Sequence, residues 1–189
     1  RSVIAARPIR TPAQSAPRSA LPSPTVRDIV YATTDSASRG GHLLDLYLPP
    51  SPSGPTPVVI FSSGSAWMAN NGRQGGPALA TQLNKAGYAV AGVAIRTSGQ
   101  TIFPGQLYDI KAAIRFLRAR GSDWSLPTEK IVIAGDSAGG HLAALVGVTN
   151  GHAELEGTVG ACRQASSVVQ GILSFYGGSN LTTILDQST

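Results

Sequence analysis

Lys130-Ile-Val-Ile-Ala-Gly-Asp-Ser-Ala-Gly-Gly-His-Leu-Ala-Ala-Leu145 decides how this chain is read. It opens on β-branched apolar residues that suit a buried strand over 130–134, and it closes on an apolar run that suits a helix over 138–149. Between them stands G-x-S-x-G, as Gly135, Asp136, Ser137, Ala138 and Gly139. A serine on a sharp strand-to-helix turn has a strained backbone and an exposed hydroxyl. Glycines two before and two after it leave room for neighbouring strands. The helix N-terminus adds positive potential and free N–H groups, so the N–H of Ala138 can face an oxyanion. Ser137 is therefore the candidate nucleophile. A tight structural turn is the competing reading.

The pattern on either side alternates strand and helix. Residues 42–48 alternate Leu44, Leu46 and Leu48, as a strand does, and the proline-punctuated residues 49–57 read as a loop. Residues 58–61 are a short apolar run suited to a central strand buried on both faces. Residues 77–86 read as a helix closed by Gly87, and 88–95 as the next strand. Pro104 and Gly105 open a helix whose apolar residues Leu107, Ile110, Ile114 and Leu117 recur at helical spacing, with Gly121 after its end. A last strand falls at 171–175. Strands separated by helices predict βαβ units and a mostly parallel α/β sheet.

The chain has 189 residues and a formal net charge of +5. That charge looks like a nucleic-acid hint until it is mapped. Arg1, Arg7, Arg10, Arg18 and Arg27 all precede Asp28, the first acidic residue, and the ten later basic residues cancel the ten acidic ones. No basic patch on the fold is expected, and so no nucleic-acid partner. Residues 1–25 carry five prolines among Ala, Ser and Arg and read as a flexible leader, with the folded domain at 26–189. No apolar run reaches the ~18 residues of a membrane span. The leader fits the mature start of an exported protein and equally a cytosolic extension, which leaves the compartment open. Oligomeric state is open too. Cys162, the single cysteine, reads as a small half-buried loop residue and excludes an internal disulfide. No dinucleotide fingerprint, phosphate loop or metal-ligand cluster is present, so no cofactor or metal is expected.

Gly135–Leu142 (GDSAGGHL) resembles the nucleophile elbow of α/β-hydrolase esterases and lipases, in their feruloyl-esterase-like or hormone-sensitive-lipase-like branches. Residues 103–118 (FPGQLYDIKAAIRFLR) resemble the helix before that elbow, and the likeness runs from about Leu43 to Leu181. It implies an α/β-hydrolase fold. It also implies a carboxylic ester hydrolase that acts through Ser137 and an acyl-enzyme on a small-molecule ester. In these enzymes a His-Gly-Gly-Gly-Trp type loop after the first central strand supplies oxyanion donors. Here Ser63, Gly64, Ser65, Ala66 and Trp67 occupy that place, so the resemblance assigns the backbone N–H groups of Ser65 and Ala66 to the oxyanion hole beside that of Ala138. Arg96 and Asp109 match positions that read as an ion pair holding loop to helix.

A serine hydroxyl needs a base, and the base needs an acid to orient it. In this fold the acid and then the histidine follow the nucleophile. His42 precedes it, His141 matches a packing position on the elbow helix, and His152 comes too early. Asp136 sits beside the nucleophile and is expected to point elsewhere. Asp186 is the one acid after Glu156, but the family acid follows a further strand, and Asn180 stands where the family often has Asp. The expectation is that the sheet lacks its last strands here and that acid and base lie beyond Thr189. These 189 residues would then be inactive by themselves. The alternatives are an amidase or peptidase-type hydrolase on the same fold, and a non-catalytic hydrolase-like binding protein.

Overall fold

A computed structural model of the chain describes residues 20–33, 40–50, 54 and 56–184. Asp186 and most of the expected leader, residues 1–19, lie outside them. Six strands form one sheet: β1 (Val26–Val30), β2 (Leu43–Tyr47), β3 (Val58–Ser62), β4 (Ala89–Val93), β5 (Ile131–Asp136) and β6 (Gly171–Phe175). Three α-helices connect them, α1 (Gly76–Leu83), α2 (Gly105–Arg120) and α3 (Ala138–Val148). The strand order is β1-β2-β4-β3-β5-β6. β4, β3, β5 and β6 run parallel, while β1 and β2 add an antiparallel edge. This is the α/β-hydrolase arrangement, and among the described residues the sheet ends at β6.

Side-chain alternation sorts the residues of each strand between two cores. Val58 and Ile60 of β3, Ala89, Ala91 and Val93 of β4, and Ile131 and Ile133 of β5 face α2 and α3. Val59, Phe61, Val90 and Ala134 face α1 on the opposite side, around the fully buried Ala80. Both faces of β3 and β4 are buried along their whole length, because helices cover them on both sides. On α2, Leu107, Ile110, Ile114 and Leu117 form one stripe at 0–1% exposure. Truncating any of them to alanine costs about 2–5 kcal/mol through lost burial and the cavity left behind. The structure extends α1 by one turn of tighter helix, closed by Gly87 at φ 82° where a side chain would be strained.

Buried ionic groups tie the loops to this core. Asp109, fully buried on α2, accepts from the backbone N–H of Arg96 at 3.0 Å, from its Nη2 at 2.7 Å, and from its Nε. The same carboxylate bonds His42 Nε2 at 3.0 Å. One carboxylate therefore joins the start of β2, the loop after β4 and α2. The sequence pattern indicated the Arg96 pair and missed the histidine. On the opposite face of α2, the buried Lys111 and Arg115 reach Glu156. Lys111 Nζ also donates to the Thr149 carbonyl, and Arg115 to those of Glu156 and Val159. These bonds strap down the long loop before β6, which holds Cys162 half-buried. Among the described residues no helix is long and apolar enough to cross a membrane.

Candidate active site

β5 delivers Asp136 and Ser137 at the carboxyl edge of the sheet, and α3 starts at the next residue. Ser137 has φ 51° and ψ −121°, a conformation side chains rarely adopt, and it is solvent-exposed. Strain of this kind costs on the order of 1–3 kcal/mol and persists only where the surroundings enforce it. They do so here: Ser137 N–H donates to the Phe175 carbonyl of β6 at 2.9 Å, and His141 N–H caps the Ser137 carbonyl at 3.0 Å. The flanking glycines are required by contact. A Cβ on Gly135 would collide with the Gly139 backbone, and a Cβ on Gly139 with the Ser62 carbonyl.

The loop after β3 folds against this turn. A Cβ on Gly64 would meet Ser137 Cβ at 2.5 Å and the Ala138 nitrogen at 3.0 Å, so the loop backbone touches the elbow itself. Residues 65–68 form a tight turn closed by Met68 N–H to the Ser65 carbonyl at 2.9 Å. Both central residues, Ala66 at φ 49° and Trp67 at φ 59°, have the positive φ of a type I′ turn. The loop keeps the left-handed backbone that glycines usually supply, although Ala66 and Trp67, which hold it, carry side chains. Ala66 is exposed and Ser65 half-buried.

Asp136 has a part that its position next to Ser137 did not reveal. Its Oδ1 accepts from Gly64 N–H at 3.1 Å, and its Oδ2 accepts from Tyr176 Oη at 3.3 Å. The carboxylate therefore pins the loop to the elbow. Its negative charge also holds the Tyr176 phenol above the ordinary tyrosine range. Asn70 was missed as well. Its Nδ2 donates to the Ile95 carbonyl at 2.6 Å and to Gln100 Oε1 at 2.9 Å, while Ser98 N–H bonds the Trp67 carbonyl at 2.7 Å. Neither residue type distinguishes a clamp from an ordinary surface polar group until the loops are seen side by side.

With this geometry in view, the likeness to known proteins is specific. The BD-FAE family model matches residues 44–189. The chain belongs to the BD-FAE family. It is 31% identical over 165 residues to the probable isoprenylcysteine alpha-carbonyl methylesterase ICMEL1 of Arabidopsis thaliana, covering 87% of this chain and 33% of that one. Among solved structures, a bifunctional GH43-CE protein of Bacteroides eggerthii superposes with a TM-score of 0.79 at 39% identity, over 86% of this chain and 24% of that one. An inhibited Esterase B from Lactobacillus rhamnosis gives 0.68 at 25% identity, over 86% and 51%. The chain spans between 24% and 39% of the length of the curated relatives it matches.

Within this BD-FAE chain the three histidines have separate surroundings. His42 is buried on Asp109, with Nδ1 unpartnered among the described residues. His141 bonds the Gly178 carbonyl through Nδ1 at 2.7 Å and meets Trp67 edge-on, with ring centroids 5.6 Å apart. His152 lies in the exposed loop after α3. Among the described residues no histidine ring is hydrogen-bonded to the Ser137 hydroxyl. Asn180 closes a local turn onto Thr182, and the described residues contain no cluster of metal-binding side chains. Two open grooves flank the elbow. One, of about 600 Å³, is walled by Trp67, Ile102, Phe103, Leu142, Leu145 and Leu181, with His141 among its polar members. The other, of about 450 Å³, runs past Phe61, Asp136 and Tyr176.

Proposed function

We propose that this chain carries the nucleophile and oxyanion hole of a carboxylic ester hydrolase, with Ser137 as the nucleophile. The carrying observation is that an exposed serine holds φ 51° and ψ −121° on a strand-to-helix turn, in contact with the backbone of a second loop. The names of the esterase relatives support the reaction class.

In this reading Ser137 Oγ attacks the ester carbonyl and forms a tetrahedral intermediate. Its oxyanion accepts from Ala138 N–H, at the positive end of α3, and from the backbone N–H groups of Ser65 and Ala66. Collapse of the intermediate expels the alcohol and leaves an acyl-serine ester, which water cleaves to the acid. Asp136 acts as a positioning residue, since its bond to Gly64 N–H sets the distance between the two sources of donors. The proton of Ser137 needs an acceptor, and no described histidine ring is bonded to the hydroxyl. The reading takes the base and its orienting acid from segments outside the described residues.

The experiment is hydrolysis of 4-nitrophenyl butyrate by the natural full-length polypeptide and its Ser137→Ala variant. A loss of at least about a thousandfold in kcat/KM is expected, the scale seen when a triad nucleophile is removed. A variant retaining most of its activity would refute the assignment.

A further inference from the structure

The larger groove contains one polar feature with a defined sense. A carbonyl oxygen can only accept a hydrogen bond, so the 2.7 Å contact between His141 Nδ1 and the Gly178 carbonyl makes Nδ1 the donor. The neutral ring then presents Nε2 as an acceptor on its far side. That atom has no partner among the described residues. The T-shaped contact with Trp67 fixes the ring from one side, and the Gly178 carbonyl fixes it from the other. An oriented acceptor thus stands in a groove whose wall is apolar at Trp67, Ile102, Phe103 and Leu142 and carries other polar side chains at Gln106, Ser179 and Asn180.

The groove lies beside the elbow, sharing Trp67 of the loop after β3 and His141 and Leu142 of α3. His141 N–H bonds the Ser137 carbonyl, so the ring stands one helical turn, about 5.4 Å of rise, beyond Ser137. Ile102 and Phe103 are 80% and 62% exposed, large apolar surface that a bound chain would cover. One helical turn separates the imidazole from Ser137, a distance that an apolar arm tethered there would span.

We propose that this groove binds the apolar arm of an ester that carries a hydroxyl at its far end, and that His141 Nε2 is the specificity-determining acceptor for that hydroxyl. The inference rests on the esterase reading for the position of the ester at Ser137. It deepens that reading by naming a substrate class, esters of apolar chains with a distal hydrogen-bond donor. An acceptor in an apolar wall discriminates because a ligand without a donor leaves it desolvated and unpaired.

Methyl ketones test this without hydrolysis. Calorimetric dissociation constants of the full-length polypeptide are measured for terminally hydroxylated methyl ketones of five to nine carbons and for their methyl ethers. The ethers match them in shape but cannot donate. At one or more chain lengths the hydroxy ketone is expected to bind about three- to tenfold more tightly than its ether, the range of one net hydrogen bond. His141→Phe should bring that ratio close to one, His141→Gln, which keeps an acceptor, should restore part of it, and Ser137→Ala should leave it intact. A ratio near one at every length in the wild type, or an unchanged ratio in His141→Phe, would overturn the proposal. Should His141→Phe not fold, the wild-type series with His141→Gln decides. Activity remaining in Ser137→Ala would defeat the esterase reading alone, because the ketone ratio depends on His141.

Discussion

Ser137 is strained because its neighbours leave it no other conformation, and that strain can be measured apart from activity. Glycine adopts φ 51° and ψ −121° freely, whereas alanine does not. Ser137→Gly is therefore expected to exceed Ser137→Ala in stability by about 1–3 kcal/mol in urea titrations, the usual cost of a residue held in a sparsely populated region. Equal stability would mean that the turn relaxes when the side chain is cut back. Ala66 allows a milder version of the same test. At φ 49° on an exposed turn, Ala66→Gly should gain about 1 kcal/mol. The strand-to-helix turn at Ser137 was legible, since G-x-S-x-G falls there between a β-branched run and an apolar helix. Asp136 and Asn70 were not legible. Their partners, Gly64 and Ile95 with Gln100, lie 72, 25 and 30 residues away, and no local pattern encodes such pairs.

The elements are held to one another by a few buried charges. Asp109 joins β2, α2 and the loop after β4. Asp109→Asn removes the charge that Arg96 and His42 share, so it should cost about 3–5 kcal/mol, readable as a fall in the denaturant midpoint. Glu156 gives a pH signature. Burial alone would raise its pKa. The hydrogen bonds from Lys111 and Ser167 and the charges of Lys111 and Arg115 reverse this, and hold the carboxyl below the ordinary glutamate range. A carboxylate with a lower pKa folded than unfolded adds stability in full above its unfolded value of about 4.3, and loses it as pH falls through the folded value. The stability gap between wild type and Glu156→Gln should therefore be widest near neutrality and narrow below about pH 4. A gap constant from pH 7 to pH 3 would contradict the strap. Apart from β1, which was not read as a strand, the elements were read to within a few residues, because apolar periodicity and the Gly and Pro boundaries coincide along this chain.

Over the whole molecule, burial is uneven. β3 and β4 are covered on both faces, whereas four of the five residues of β6, with Ile172, Leu173 and Phe175 among them, are exposed at the sheet edge. An open apolar edge strand templates pairing with another chain. The 189-residue polypeptide is expected to self-associate with concentration in sedimentation velocity, and Leu173→Lys should suppress it. A monomer at all concentrations would show that this edge is not adhesive. The alternation of strands and helices made the sheet legible, but no periodicity shows which loops approach one another across its carboxyl edge, and the candidate site is assembled there. The account depends above all on Ser137 as the nucleophile, and covalent trapping tests that most directly. A fluorophosphonate added to the full-length polypeptide should leave one adduct, mapped by peptide mass spectrometry to Ser137 and absent from Ser137→Ala. An adduct on another serine, or equal labelling of the two proteins, would contradict it.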